Sequence, residues 1–363
     1  MQPYYHFLFM MLLGFSAHSS SAQNYFEYHT NIIKAEQQIF VEEHFNEGLE
    51  TYLNTFNRYD FVFLNDCMTA LQIALHAEDE NAFLKIANKA TQNGLMPRHL
   101  LKMAYINKHP IYQKYKDSII SMYKINRTHY LKRIDTAALK KMYHLYAMDQ
   151  LVKNRGQNES NADYNSRYSQ QIKETFKNFQ ALTHQHGWPS DKVMGIYQSD
   201  IMKELQIAQP DMIDYYYKYK DQYNIREGQF QEDETDFCQS FFWAVLAHYG
   251  HHISYQYYND DFYLEQIKKG NIHPDDLGYL IDFKHWNSNK ETILAAANKG
   301  EFFGKLPAST PITDVRYYIA PTNTLNAVHQ KFYLAPLEVE MAKARFMKKY
   351  GLQLTFGNGG SRI

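Results

Sequence analysis

The chain of 363 residues balances 38 Lys and Arg against 39 Asp and Glu, a net charge of −1 that gives no electrostatic pull toward nucleic acid or an anionic membrane surface. Its two cysteines, Cys67 and Cys238, are too few for a disulfide scaffold, and both stand in apolar, helix-like stretches where cysteine serves as a small buried hydrophobe. The 31 Tyr and 23 Phe accompany abundant Asn, Ile and Lys, the pattern of AT-rich coding, so they carry no argument for a sugar-binding surface.

The opening residues, "MQPYYHFLFMMLLGFSAHSSSAQ", run apolar from Phe7 to Phe15 and then turn to small residues ending at Ala22. That is the core and cleavage pattern of a secretory signal peptide over residues 1–22, with the mature protein starting at Gln23. The run is shorter than the roughly 20 apolar residues a membrane span needs, and every later apolar segment is interrupted by charges. The expectation is an exported protein, periplasmic or extracellular, with no membrane span.

From Asn24 to about Phe56 the pattern is helical. In "DFVFLNDCMTALQIALHAEDENAFLKIANKATQNGLMP", Phe61, Leu64, Met68, Leu71 and Leu75 recur at three- and four-residue steps, which draws one stripe down a helix. Ala70, Ala74 and Ala77 make a second stripe of small residues that lets a neighbouring helix approach. "HAEDEN" is a turn, and a second helix with Phe83, Ile86, Ala87 and Ala90 stops at Asn93-Gly94. Further on, "NRGQNESNADYNS" reads as an exposed loop. Ile172, Phe176, Phe179 and Leu182 mark a helix ending at Gly187, and Ser190 stands where it caps a helix through Met194, Ile201, Met202 and Leu205. "NDDFYLEQIKKGN", "HPDDLGYLIDF" and "PLEVEMAKARFMKKYG" supply later helices, and Gly300 to Asn323 is loop-like, with at most short strands near "VRYYIA". Period-two alternation is nowhere sustained. The fold expected is all-α: stacked helical hairpins over 23–130, then a second helical domain over 131–363 with few or no strands.

The hairpin of residues 61–97 resembles a tetratricopeptide-type unit, which implies stacking on flanking helices, since one such unit cannot bury its own faces. At "YAMDQLVKNRG", "HGWPSDKVMG" and "GNIHPDDLGYLIDF", the chain over about 140–285 resembles a family of exported helical proteins with no established function. That family carries an Asp-Gln followed by Arg, a Gly-Trp-Pro with a Val-Gly beyond, and an Asp-Arg ending an acidic helix. The matching positions are Asp149, Gln150 and Arg155, then Gly187-Trp188-Pro189 with Gly195, and Asp282. Phe283 stands where the pattern has Arg, and Pro210 where it has a histidine after a glutamine. The matching positions Asp149, Gln150 and Arg155 are candidate binding residues, and Trp188, held in a rigid Gly-Trp-Pro turn, is expected to plug the core between helices, with one wall of a ligand cleft as the functional alternative.

One constellation points to metal chemistry. In "AHYGHH", His248, His251 and His252 fall at i, i+3 and i+4, one face of a helix, where zinc enzymes place histidine pairs. No Glu lies between His248 and His252 to act as base, and Gly250 weakens the helix there. His248 and His252 also continue the stripe of Phe241 and Val245, which makes them ordinary core-edge residues on the alternative view. Glycine-rich phosphate loops, dinucleotide fingerprints and the G-x-S-x-G elbow are absent. The leading expectation is a module that binds a protein or peptide partner and no cofactor. The alternative is a metal-dependent hydrolase holding zinc at the three histidines with an acidic residue in support.

Overall fold

The structure is a computed structural model and describes residues 23–156, 158–207, 245, 246, 248, 249, 258–282, 285, 290–304 and 322–354. Regular structure among these residues is helical, with no strand, as the missing period-two pattern predicts. The signal-peptide stretch, Cys238, Pro210, "VRYYIA" and the glycine-rich C-terminus lie outside the described residues. No described helix is long and apolar enough to cross a membrane.

Where one helix is expected from Asn24 to Phe56 there are two. Helix α1 (Tyr25–Glu36) widens into a π-helical turn (Gln37–Val41), and α2 (Phe45–Arg58) starts afresh after Glu43 takes a left-handed φ of 59°. No Gly or Pro marks this break, so sequence pattern has nothing to read. The turn buries Ile39 and Phe40 against the C-terminal helix α16 (Leu337–Tyr350).

Helices α3 (Leu64–His76) and α4 (Glu80–Gln92) form the expected hairpin. Asp79 caps α4 by accepting the Ala82 N–H at 2.9 Å. Because α3 is apolar on nearly every face, it lies at the centre of the molecule, buried from Leu64 to Leu75 apart from a half-buried Asn65. Its three buried polar residues, Asp66, Thr69 and Gln72, are spaced three apart and share one side, where each must find a partner. Asp66 accepts from Tyr28 of α1 at 2.7 Å and meets His273 at 3.3 Å. Thr69 donates to Leu354 O at 3.2 Å, while the Gln72 amide donates to Gln353 O and accepts the Gln353 N–H at 2.9 Å. The residues after α16 are thus fastened to the central helix by its own side chains. A Gln72→Leu substitution removes both bonds to Gln353 and is expected to expose the 351–354 segment to early proteolytic nicking while α3 stays folded. Unchanged cleavage would show that the segment is held some other way.

Short helices α5 (Pro97–Lys102) and α6 (Ala104–Lys108) lead into α7 (Pro110–Lys132), which packs on α4. Helix α8 (Thr136–Val152) pairs with α9 (Asn161–His186). The polar loop between them is shorter than its composition suggests, because Ser160 accepts the Asp163 N–H at 3.1 Å and starts α9 inside it. Beyond Gly187 the expected single helix is split into α10 (Asp191–Met194) and α11 (Gln198–Glu204). Gly195 and Tyr197 interrupt it with φ of 78° and 57°. Helices α12 (Asp260–Lys268), α13 (Pro274–Asp282), α14 (Lys290–Asn298) and α15 (Thr322–Lys331) precede α16.

The boundary expected near residue 130 falls in the last turn of α7, at Tyr130. This ring sits where a Cβ on Gly94 would meet its Cζ at 2.4 Å and one on Gly195 would meet its hydroxyl at 2.6 Å. The hydroxyl accepts the Ile196 N–H at 2.7 Å, and Arg127 forks onto Glu204 at 2.9 and 2.7 Å. One buried apolar cluster runs across this point from Tyr25 to Leu354.

Candidate functional site

Asp149 and Gln150 lie in the final turns of α8, where exposed carbonyls make a carboxylate unfavourable unless it is paired. Asp149 is only 2 % exposed. Its partner is His248, whose Nδ1 lies 2.6 Å from Asp149 Oδ2. The Gln150 amide donates to the same oxygen at 3.0 Å, and Lys153 in turn donates to Gln150 Oε1 at 2.9 Å. Burial pulls the Lys153 ammonium below its usual range, with Asp149 opposing that pull. On α9, burial raises the Tyr168 phenol, and the Asp149 charge raises it further.

The backbone around His248 is anchored by packing. Val245 and Leu246 are helical and buried in the main cluster, and Tyr249 stacks on Phe176 of α9 with ring centroids 3.7 Å apart. This fixes the imidazole over the end of α8. An ionised carboxylate only accepts, so Nδ1 carries the proton between the partners, and in the neutral ring Nε2 is the acceptor nitrogen. The His248 side chain is 23 % exposed, so the pair has a buried carboxylate end and an accessible imidazole end. Such an arrangement can accept a proton, accept a ligand hydrogen bond, or present a nitrogen to a metal ion.

His251 and His252 lie outside the described residues, so the three-histidine face is described at His248 alone. Among the described residues no group of three or more His, Cys, Asp or Glu is placed to hold a metal ion. Arg155 does not join Asp149: it is exposed, and its guanidinium donates twice to Glu159 O, at 2.8 and 2.5 Å. The cation that closes this corner is Arg167 of α9, forked onto Glu159 at 2.7 and 2.8 Å and donating to the α8-terminal carbonyls of Val152 and Asn154. Asp282 is fully buried and takes up the Phe303 N–H at 2.7 Å.

Trp188 is 4 % exposed and set among Phe179, Tyr258, Phe262 and Tyr263 at 5.8–6.3 Å, mostly edge-on. Its backbone N–H donates to Gln266 Oε1 of α12 at 3.3 Å. The Gly-Trp-Pro turn therefore drives an indole into the seam between α9 and α12.

Sequence reasoning singled out Asp149 with Gln150 and, separately, His248, and the fold brings them into contact. Lys153 and Tyr168 were missed. A signal existed for Lys153, since it follows Asp149 by one helical turn on the same face. Tyr168 is reached only through the pairing of α8 with α9. No known family matches this chain, and no curated protein or solved structure is detectably similar to it.

Proposed function

We propose that the protein is an exported helical binding protein whose hairpins present a surface to a protein or peptide partner, with the Asp149–His248 pair as the polar anchor of its site. The observation behind this reading is the 2.6 Å contact between two residues that stand 99 positions apart and were marked on unrelated grounds. In this reading Asp149 holds one tautomer of His248, and Nε2 accepts a hydrogen bond from the ligand. Export rests on the signal-like N-terminus, and the test is to sequence the N-terminus of native protein. Gln23 is the expected start, and a retained Met1 would sink the assignment.

A second reading, a zinc-dependent hydrolase, is favoured by one feature. Metal-binding histidines characteristically donate their other ring N–H to a carboxylate, as His248 does to Asp149. One experiment separates the two readings: metal analysis of mature protein purified without a His tag, beside Asp149→Asn and His248→Ala. The Asn variant offers an N–H to Nδ1 and so moves the ring proton to Nε2, which removes the acceptor while keeping the shape. Stoichiometric zinc, lost in His248→Ala and weakened about 10–100-fold in Asp149→Asn, selects the hydrolase. Wild-type protein without metal, capturing a partner that both variants fail to capture, selects the binding protein. If both variants retain metal content and partner capture at wild-type levels, the pair is not the working site.

A further inference from the structure

A second cluster of ionisable groups lies where α1 and α3 meet the start of α13, apart from the Asp149–His248 pair. His29 of α1 is 2 % exposed, and its Nε2 has no hydrogen-bond partner among the described residues. Its ring meets that of His273 edge-on, with centroids 5.3 Å apart, and both rings pack on Phe63 at 5.4 and 5.0 Å. His273 immediately precedes α13, and its Nδ1 accepts the Asp275 N–H at 3.2 Å. The Asp275 carboxylate stands 3.8 Å from that same nitrogen, and Asp66 faces Nε2.

This pocket accommodates one proton. Burial works against charge on His273, but Asp66, Asp275 and Asp276 outweigh it and carry its pKa up to about 9. A cationic ring cannot also accept the Asp275 N–H, so protonated His273 exchanges that cap for the neighbouring carboxylate. A second proton has no comparable place. Among the described residues His29 has no acceptor at Nε2, and burial together with the His273 charge lowers its pKa well below the usual histidine value, with Asp275 only partly opposing.

We propose that the His29–His273 contact is an acid-sensitive clasp, holding α13 against α1 and α3 at neutral pH and releasing it when both rings carry protons. The other groups facing the clasp among the described residues do not relieve that second charge. Tyr28 is a donor already committed to Asp66, and the buried Cys67 thiol, pushed up by burial, stays neutral. Along α1, Glu36 is engaged by Lys343 of α16, with Tyr52 at 3.5 Å and Glu340 nearby. Sites that bind a proton only when released weaken the closed state as pH falls. A released His29 titrates near 6.5, so the closed state is expected to lose about tenfold in equilibrium constant per pH unit below that value.

The test is hydrogen exchange read by mass spectrometry on the whole protein between pH 7.5 and 4.5, corrected for intrinsic rates. Peptides covering 25–36 and 273–282 are expected to lose protection about tenfold per pH unit below 6.5, while α4 and α7 hold theirs. His29→Phe keeps a ring against Phe63 and cannot be protonated, so its protection should stay flat with pH. Equal loss in wild type and His29→Phe, or full protection in the wild type down to pH 4.5, overturns the proposal. Should His29→Phe not fold, NMR titration of the wild-type imidazoles decides instead. A His29 that titrates near 6.5 within the closed protein is the overturning result, and one that stays neutral until exchange opens supports the clasp.

Discussion

Replacing Lys343 by Met is expected to destabilise the protein by about 3–5 kcal/mol in urea unfolding at neutral pH. Lys343 and Glu36 form a buried ion pair, and Tyr52 adds a long hydrogen bond to the same carboxylate oxygen at 3.5 Å. Both partners shift upward. Burial opposes the ammonium, but Glu36, Glu340 and Asp275 outweigh it and keep Lys343 charged, whereas burial dominates at Glu36 and makes its carboxyl the first to take a proton. Losing the lysine strands an uncompensated buried carboxylate, which is the costly way to break such a pair. Exchanging both residues for apolar ones, as in Glu36→Leu/Lys343→Met, should recover most of the loss. The deficit should also shrink as pH falls. A carboxyl whose folded pKa lies above the unfolded value binds the extra proton in the folded state, so acidification through that interval favours the fold. Equal stability of the single and double variants would remove the buried charge from the account.

Trp188→Ala is expected to cost about 3–5 kcal/mol, the range for deleting a large aromatic from a core that cannot collapse into the space. Phe179 holds one flank of the indole from α9, while Phe262 and Tyr263 hold the other from α12. With supports on two helices, little of the cavity can close. A folded variant within about 1 kcal/mol of wild type would contradict this. It would mean that the indole contributes little packing and would return Trp188 to the role of a ligand-facing wall.

The all-α class and the α3–α4 hairpin were legible because their signals are local. Leu64, Met68, Leu71 and Leu75 repeat at helical steps, and Asn93-Gly94 ends α4 as written. The breaks at Glu43 and Tyr197 were not, since non-glycine residues took left-handed backbone there under tertiary packing. The candidate site was half legible. Periodicity places His248 on a helical face but says nothing of what that face meets, and its carboxylate partner, Asp149, comes from 99 positions away. Asp66, Thr69 and Gln72 interrupt an apolar helix in the sequence, and only the assembled fold shows them as three receptors on its central member.

Those receptors bear on the order in which the molecule can be made. The partners of Thr69 and Gln72 lie 285 and 281 residues downstream, so a nascent α3–α4 hairpin carries open polar groups on the side destined to be innermost. Loop closure over that distance is slow compared with forming the hairpin itself. Until residues 353 and 354 arrive, that side of the hairpin's central helix has only water to hydrogen-bond to. A chain interrupted before that point would keep its apolar hairpin but present the unfilled polar edge, a feature by which a protease or chaperone can tell unfinished copies from finished ones.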